Sequence, residues 1–397
     1  MKKMILTITV LWLIIFSVSI EACIVFNSTN DGITLVGRNM DWYTQENYIA
    51  FLPSEEGKFG RVYFGWNEFP SWHQGGMNSQ GVMFAYLAAP FLSVTNSLLK
   101  PVYRGNYGNL MEKCMEECSS VNEVLDIFNQ YNLRFLENCH VMVVDRNGDS
   151  VIIGGDDITM KDGAFQVVTN FRPSHPSLGG YPCWRYDKAY GKLEEMEIIS
   201  LDYFTEILNE THMEGNYPTQ WSIIYDLEEY NIHLYYFHDF NNVIIFNLHE
   251  ELENGEHVYS IPSLFETSDN QPPNAPTDVD GPSIGKIETE YTYSCSVTVD
   301  PDNEPDELYY LFDWGDNTDS GWIKPLSSSI ISTSHVWYVN GSFKIKVKAK
   351  DIFGAESEWS EPLEINMPKN KIINDLLVGR LLIRFPIFKF FLWSLLQ

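Results

Sequence analysis

The tripeptide Asn30-Asp31-Gly32 constrains the fold most strongly, because it stands between two β-rich runs, IVFNST before it and ITLVGRNMDW after it. An Asp-Gly pair between two such runs is a strong hairpin signal, since both central residues of the tight turn must adopt positive φ. The sequence therefore predicts an antiparallel hairpin directly after the first 22 residues.

The length of this turn fixes what lies opposite Cys23. A two-residue turn places Cys23 opposite Met40, and a three-residue turn places it opposite Asn39. Directly opposed residues are about 5 Å apart, so in either register Arg38 and Asp41 come within a residue or two of the position facing Cys23. Residues three apart point to opposite faces of an ideal strand, so both can reach the sulfur only at a bulge or strand end.

Residues 1–22 are typical of an export signal, with two lysines at positions 2 and 3, an apolar stretch and a small residue, Ala22, at the end. An uncleaved membrane anchor is the alternative, because the apolar run is long for a signal. Polar Glu21 beside Ala22 favours cleavage. We therefore expect a secreted or cell-surface protein whose mature chain begins at Cys23.

The hydrophobic content and net charge of the chain limit the classes of function it can have. The chain has 397 residues, of which 44% are hydrophobic, so it can form packed cores in two domains. It carries 54 acidic against 26 basic residues, a formal net charge of -28. Such a surface repels phosphate backbones, so no nucleic-acid partner is expected.

Residues 23–265 alternate between strand-like and helical stretches. Strands followed by helices and then by more strands predict stacked sheets covered by helices, an α+β fold. The predicted strands include 60–64, 81–85, 140–145, 150–154, 165–169, 232–237, 242–248 and 256–260; the predicted helices are 107–117, 120–132, with Ser120 as N-cap, and 201–210.

The chain changes character after residue 265. Residues 266–275 form a linker rich in Pro, Asp and Asn. Residues 276–368 show short alternating strands, among them 292–297, 309–313 and 343–349, which predict a small all-β, immunoglobulin-like sandwich. Residues 369–397 are apolar but interrupted by cations and Pro386, so the tail either lies in a membrane interface or packs against the protein.

Cleavage before Cys23 would give one residue both a thiol and a free α-amine. The amine titrates near pH ~7.7–8.0, so a fraction of it accepts a proton at neutral pH. A guanidinium such as Arg38 beside the thiol would shift it toward thiolate, and Asp41 could orient the ammonium. Nucleophile and base in one residue form a compact catalytic unit that needs no distant histidine.

These residues carry a family resemblance. Cys23, the hairpin and the Arg-x-x-Asp of GRNMDW resemble the N-terminal-nucleophile hydrolases of the choloylglycine hydrolase and penicillin V acylase kind, relatives of acid ceramidase and the isopenicillin-type acyltransferases. The resemblance continues at Asn78 in GGMNSQGVMFAY and at Asn170 in VVTNF, and covers roughly 23–259. It implies a four-layer αββα sandwich that hydrolyses linear amide C–N bonds without a cofactor.

The resemblance also implies roles for single residues. Cys23 would be the nucleophile and, through its amine, the base, and Arg38 and Asp41 would position and charge-tune it. Asn170 and Asn78 would donate hydrogen bonds to the oxyanion. A second family arginine falls on Arg185, with Arg172 as its rival. The substrate would be a small N-acyl amide, and either water or an amine would accept the acyl group.

Other interpretations account for some of these residues separately. Ile20-Glu21-Ala22-Cys23 partly resembles a lipobox, which would make the chain a cell-surface lipoprotein or binding protein with a blocked Cys23. Arg38 and Asp41 alone could be an exposed ion pair. Asn78, before Ser79-Gln80-Gly81, could cap a turn. Only their joint occurrence with Cys23 favours the enzyme.

Further features add detail. An aromatic group, Phe64, Trp66, Phe69, Trp72, Phe84, Tyr86 and Phe91, is either core or the lining of an acyl pocket. Cys114 and Cys118 share a helix face but lack the second ligand pair of a zinc site, so no metal is assigned. LFDWGDNTDSGW resembles the Trp-Gly-Asp hairpin of polycystic-kidney-disease (PKD)-type sandwiches, which are close to fibronectin type III. The sequence leaves a homo-oligomer open.

Overall fold

The computed structural model describes residues 23–43, 46–66, 69, 73–105, 109–214, 217–266, 270–301, 308–324 and 330–368. The leader, the tail and Trp72 lie outside the described residues. The chain separates into two compact units, Met1–Ser268 and Asp269–Gln397. Among the described residues, no helix has the length and apolar character needed to span a bilayer.

The described part of the first unit contains fourteen strands and six α-helices. The strands are β1 (Ile24–Asn30), β2 (Ile33–Asp41), β3 (Asn47–Leu52), β4 (Arg61–Trp66), β5 (His73–Asn78), β6 (Met83–Ala88), β7 (Cys139–Val144), β8 (Ser150–Ile153), β9 (Ile158–Met160), β10 (Phe165–Val168), β11 (Thr219–Asp226), β12 (Asn231–Tyr236), β13 (Ile244–Asn247) and β14 (His257–Ser260). The helices are α1 (Leu110–Glu117), α2 (Val121–Phe128), α3 (Trp184–Glu195), α4 (Leu201–Thr211), α5 (Leu248–Glu253) and α6 (Ile261–Phe265).

These strands form two antiparallel sheets. One has six strands in the order β10-β1-β2-β11-β12-β13, and the other has eight in the order β14-β3-β4-β5-β6-β7-β8-β9. Apolar side chains of α1 and α2 pack on the eight-stranded sheet, and those of α3 and α4 pack on the six-stranded sheet. Phe64 of β4 contacts Trp221 and Tyr225 of β11, so side chains from the two sheets also meet. The α+β prediction is confirmed.

The first hairpin has the two-residue register. Asn30 pairs with Ile33, and Asp31 and Gly32 both adopt positive φ, at 51° and 85°. Ile24 pairs with Asn39, so Cys23, one residue before β1, lies level with Met40. Local turn chemistry alone therefore sets the position of Cys23 along β2.

The other predicted elements agree with the structure to within a few residues where the pattern is strongly apolar. Ser120 caps α2 as predicted, its side chain accepting a hydrogen bond from the Glu123 N–H. Helices α3, α5 and α6 and strands β3, β5, β9 and β11 were not predicted. Strand β5 has the sequence HQGGMN, whose residues have low strand propensity. It is nevertheless a strand, because it pairs with β4 on one side and β6 on the other. All six cysteines are unpaired thiols.

The described part of the second unit is all-β. Its strands are β15 (Glu290–Ser296), β16 (Tyr309–Asp313), β17 (Ile330–Val336), β18 (Gly341–Lys350) and β19 (Leu363–Met367). They form a two-stranded sheet, β15-β17, and a three-stranded sheet, β16-β18-β19, whose side chains share one core around Trp314 and Trp337. The predicted Trp-Gly-Asp hairpin thus contributes its tryptophan to that core.

A buried polar cluster joins α1 to the eight-stranded sheet. His73 Nε2 lies 3.3 Å from Glu112 Oε1, and His73 Nδ1 lies 2.8 Å from the Tyr48 hydroxyl. Burial raises the pKa of Glu112 to about 8, helped by nearby Glu116 and opposed by Arg61 and Lys58. Burial also lowers the pKa of His73 to about 4. At neutral pH the pair is therefore an uncharged acid beside an uncharged imidazole.

Glu112→Gln should flatten the pH dependence of stability. The carboxyl keeps its proton up to about pH 8 in the folded chain but releases it near its ordinary value of 4.5 when unfolded. Its contribution to stability is thus present below pH 4.5 and is lost as pH rises toward 8. As pH rises from 4.5 to about 8, the free energy of unfolding of wild type should therefore fall relative to that of the variant. Urea unfolding at several pH values measures this difference.

Glu123→Gln is the control for this experiment. Hydrogen bonds from Ser119 hold the pKa of Glu123 below its ordinary value, so its contribution is lost in the opposite direction, as pH falls. Parallel curves for wild type and Glu112→Gln would contradict an uncharged Glu112 at neutral pH.

Candidate active site

A cavity of about 370 Å³ opens beside Cys23. Its wall combines apolar and aromatic side chains with three amides, one thiol besides that of Cys23, and one carboxylate. The lining residues are Cys23, Met40, Asp41, Trp42, Trp66, Gln74, Tyr86, Leu87, Ala88, Asn138, Cys139 and Asn170. Such a mainly apolar cavity with a few convergent polar groups is typical of a small-molecule site.

Cys23 is almost completely buried at the base of this cavity. Its sulfur lies 3.6 Å from Met40 Sδ and 4.0 Å from the backbone oxygen of Asp41. Burial, and to a smaller extent the Asp41 charge, raise the pKa of the Cys23 thiol to about 11, although Arg38, the hydrogen bond to the Asp41 backbone and Arg185 each lower it. In the full-length chain, loss of solvation thus outweighs the guanidinium; the shift toward thiolate that the sequence predicts for a chain beginning at Cys23 stays a prediction.

Arg38 crosses from β2 to the eight-stranded sheet. Its guanidinium donates to the carbonyl oxygens of Gln74, at 2.9 Å, and Tyr86, at 3.1 Å, and to Met40 Sδ, at 3.2 Å. The cation also lies 5.1 Å from the centre of the Trp221 ring. Met40 is thus contacted by both the Cys23 thiol and the Arg38 guanidinium, and Arg38 fixes the backbone of two cavity-lining residues.

Asp41 points away from Arg38, toward α3. One carboxylate oxygen pairs with Arg185 Nη1, and the other accepts a hydrogen bond from the Thr219 hydroxyl at 2.5 Å. Both side chains of the ion pair are fully buried. Asp41 is the last residue of β2, and the register of β11 shifts opposite it, between Thr219 and Trp221. The strand end and bulge expected from the spacing of Arg38 and Asp41 are therefore present.

Burial raises the pKa of Asp41 to about 6, although Arg185, the Thr219 hydrogen bond and Arg38 each lower it. Asp41 is consequently ionised at neutral pH and paired with Arg185. Burial also lowers the pKa of Arg38, while the charges of Cys23, Tyr225 and Asp41 raise it.

Asn170 follows β10 and reaches the cavity from the other side of Cys23. Its amide nitrogen donates to the Ala88 carbonyl oxygen at 2.8 Å, which fixes the orientation of the amide group. A primary amide has two N–H bonds, so one remains available to a ligand. Cys23, Asp41 and Asn170 thus line one cavity, with Arg38 and Arg185 directly behind lining residues.

Asn78 does not belong to this group, and the structure corrects the oxyanion role that the resemblance implies for it. Its amide nitrogen donates to the carbonyl oxygens of Met115 and Cys118, and its amide oxygen accepts from the backbone N–H groups of Gln80 and Val82. The side chain caps the turn after β5 and the end of α1, and all its hydrogen-bonding capacity serves the fold.

Arg172, the rival second arginine, also lies outside the cavity wall. Its guanidinium donates to carbonyl oxygens of Pro90, Gly154, Leu136 and Glu137 and so holds three chain segments together. Both arginines contact a lining residue. Arg185 pairs with the Asp41 carboxylate, whereas Arg172 contacts the wall through the backbone oxygen of Cys139, at 3.4 Å.

Several lining residues escaped the sequence analysis. Gln74 and Asn138 supply amides, and Trp42 stacks on Trp66 with ring centres 4.2 Å apart and an interplanar angle of 2°. The aromatic group expected either in the core or at an acyl pocket contains residues of both kinds. Trp66 and Tyr86 line the cavity, whereas Phe64 and Phe84 are core residues. The position of Trp42 directly after Asp41 was the one available signal for its role.

No protein-family model matches the sequence, and no curated protein matches it. Among solved structures, the chain is similar to penicillin V acylase from Agrobacterium tumefaciens, with 14% identity over 59% of this chain and 90% of that one and a TM-score of 0.41. It is also similar to the PKD domain of an M14-like peptidase from a Thermoplasmatales archaeon, with 42% identity over 25% of this chain and 99% of that one and a TM-score of 0.23.

A third likeness is to superoxide reductase (neelaredoxin) from Ignicoccus hospitalis, with 11% identity over 27% of this chain and 91% of that one and a TM-score of 0.18. The chemistry of the cavity therefore has to be argued from its own residues.

Gly75 should be intolerant of substitution, because a β-carbon there would lie 2.1 Å from Arg38 Nη1 and 2.9 Å from the Phe84 carbonyl oxygen. Gly75→Ala should displace the guanidinium and lower the free energy of unfolding by about 1–3 kcal/mol, as overpacking of a dense core does. Urea unfolding measures this loss.

Gly191→Ala is the matched control. Gly191 lies within α3, and a β-carbon there meets nothing within 4 Å. Alanine is the better helix former by about 1 kcal/mol, so this variant should be as stable as wild type or more stable. Equal effects of the two substitutions would contradict the close approach of Arg38 to Gly75.

Asp41 and Arg185 should be strongly coupled. Asp41→Asn leaves a buried guanidinium without its counter-ion and should destabilise the fold by about 3–5 kcal/mol at pH 7. Arg185→Met should cost less, because Asp41, whose pKa is already about 6, can then take up a proton. Its deficit should shrink as pH falls.

The double variant Asp41→Asn/Arg185→Met should recover part of the loss of Asp41→Asn, since it removes both charges together. A double-mutant cycle in urea unfolding gives the coupling free energy. Strictly additive losses would show that the ion pair does not contribute as a unit.

Proposed function

We propose that the first unit is an exported N-terminal-nucleophile hydrolase with a four-layer αββα architecture, which cleaves the linear amide C–N bond of an N-acyl substrate through a thioester on Cys23. The observation that carries the proposal is the shared cavity of Cys23, Asp41 and Asn170, backed by Arg38 and Arg185. The sequence resemblance to choloylglycine hydrolases and penicillin V acylases supports the same assignment.

Removal of residues 1–22 supplies the missing base. Burial raises the pKa of the Cys23 thiol to about 11, so the sulfur does not ionise by itself at neutral pH. A free α-amine on the same residue has an ordinary pKa of about 7.7–8.0 and can accept the thiol proton. Cleavage thus converts an inert buried thiol into a base-assisted nucleophile.

The reaction has two halves. The Cys23 sulfur attacks the acyl carbon while its proton passes to the α-amine, and the resulting ammonium protonates the departing amine as the C–N bond breaks. Water, deprotonated by the α-amine, then attacks the thioester and releases the acid and the thiol. No cofactor or metal takes part in either half.

Asn170 stabilises the oxyanion in both halves. The Ala88 carbonyl orients its amide group and takes one of its two N–H bonds, and Asn170 lines the cavity, which supports the use of the second N–H for the substrate. One preorganised donor of this kind contributes about 2.7–4 kcal/mol to the transition state. Asn138 and Gln74, the other amides of the wall, are candidates for the second donor in place of Asn78.

The same proposal covers the setting of the enzyme. Residues 1–22 direct export, the product is secreted or held at the cell surface, and the apolar-basic tail at 369–397 attaches it to a membrane interface. The PKD-like sandwich in the second unit spaces or presents the catalytic unit. The partner of the proposed enzyme is a small-molecule substrate and not a nucleic acid.

Cys23→Ala should abolish hydrolysis of every N-acyl amide that the mature wild type cleaves, with a loss of about 10³-fold or more, because the covalent step has no other nucleophile. Product release from a panel of N-acyl amides is the measurement. Cys183→Ala is the matched control, since that thiol lies outside the cavity wall, and it should keep its activity.

A chain that begins at Cys23 should be active, and one with a single glycine left before Cys23 should not, because the amine then becomes an amide. Mass spectrometry of the protein purified from its native host should find Cys23 as the N-terminal residue. An extended or fatty-acylated terminus would overturn the proposal in favour of a binding protein. Acyl transfer to added amines in preference to water would identify an acyltransferase.

A further inference from the structure

We infer that the cavity selects substrates whose leaving amine carries no negative charge, that is, N-acyl amides of neutral or cationic amines rather than of amino acids or aminosulfonates. This inference rests on the proposed function and adds a substrate class to it. It follows from the distribution of charge around Cys23.

Among the described residues, no lysine or arginine lines the cavity, and its one ionisable acid, Asp41, is already paired with Arg185. The gaps in the description of the first unit beyond Cys23, at 44–45, 67–68, 70–72, 106–108, 215–216 and 267–268, contain no lysine or arginine in the sequence. No cation of this unit is therefore left over in those segments to meet an anionic substrate.

The two arginines behind the wall are not exposed in the cavity. Arg38 and Arg185 are both fully buried. Arg38 donates to two carbonyl oxygens and to Met40 Sδ. Arg185 pairs with Asp41 through Nη1, and its Nε and Nη2 are buried without a hydrogen-bond partner among the described residues.

Arg172 donates to five carbonyl oxygens, one of them that of the lining residue Cys139. Arg134 lines a different cleft and pairs with Glu137. A bound carboxylate would thus lose its hydration without gaining a counter-ion from a side chain of the described wall, which is costly. The α-amine of Cys23 does not fill this place, because in the proposed reaction it must be uncharged to accept the thiol proton.

The polar groups that remain suit an uncharged or cationic head. Gln74, Asn138 and Asn170 offer amide donors and acceptors, and Trp42 and Trp66 offer stacked aromatic faces. Amides can hydrogen-bond a hydroxyl or amide group, and an aromatic face attracts a cation. The net charge of -28 acts in the same direction, since it repels anions during encounter.

Three amides with one acyl group test this inference: N-decanoylglycine, N-decanoylglycinamide and N-decanoylethylenediamine, which differ in the charge of the amine part. The mature chain should cleave the neutral and cationic amides with kcat/KM at least about tenfold above that of the glycine conjugate, a difference of about 1.4 kcal/mol. An equal or higher kcat/KM for N-decanoylglycine would overturn the inference.

Binding of the same three amides to Cys23→Ala, measured by calorimetry, separates this inference from the proposed function. Weaker binding of the glycine conjugate supports the charge rule even if wild type cleaves none of the three amides, an outcome that counts against hydrolysis only. Equal binding of all three, or tighter binding of the glycine conjugate, overturns the charge rule whether or not hydrolysis occurs.

Ala88→Lys provides a gain-of-function test, because Ala88 is an exposed residue of the cavity wall. The new cation should raise the ratio of kcat/KM for N-decanoylglycine to kcat/KM for N-decanoylglycinamide by about tenfold. Ala88→Gln, of similar length and uncharged, is the control and should leave the ratio near that of wild type. The same ratio in both variants would contradict a missing cation as the cause.

Discussion

The buried ion pair between Asp41 and Arg185 is the interaction on which the rest of the site depends. It joins the end of β2 to α3, and the Thr219 hydroxyl adds β11 to the same carboxylate. A pair of fully buried charges is costly unless its geometry and hydrogen bonding are good, so it constrains where these three elements can lie. Cys23 lies level with the residue before Asp41, and its sulfur approaches the Asp41 backbone oxygen. The ion pair therefore also fixes the part of the β2 backbone that the Cys23 sulfur contacts.

Burial has two opposite consequences for Cys23. It removes the sulfur almost completely from solvent, so that a thiolate once formed is poorly solvated and hence reactive. It also raises the pKa of the thiol, so that formation of the thiolate needs an acceptor close by. Arg38 cannot fill that role, since a guanidinium stays protonated and its donors are directed at two carbonyl oxygens and Met40. An amine on the same residue would meet the requirement without any further side chain, so in the proposed enzyme removal of residues 1–22 would also activate the thiol.

Sequence reasoning succeeded where a local rule decides the structure. The Asn-Asp-Gly turn fixed the register of β1 and β2, and with it the positions of Cys23, Arg38 and Asp41. It failed where a side chain is used by distant parts of the chain. Asn78 stands in a fitting local motif, but whether its amide faces a ligand or caps the turn after β5 depends on where α1 ends, some forty residues later. Gln74 and Asn138 belong to segments without a sequence signal, and only the order of strands in the eight-stranded sheet brings them to Cys23.

The accessibility of the cavity bears on how the thioester is resolved. Ala88 and Asn138 are exposed at its wall, whereas Cys23, Asp41 and Asn170 are buried. In the proposed reaction, water has to reach the acyl carbon once the amine has left, and the exposed wall residues Ala88 and Asn138 mark where it can enter. An acyltransferase would have to exclude water from the same carbon until its second substrate arrives. The stacked pair of Trp42 and Trp66 and the three amides of the wall are the described groups that can bind such a second substrate, so the two proposals differ in what these groups hold when the thioester is present.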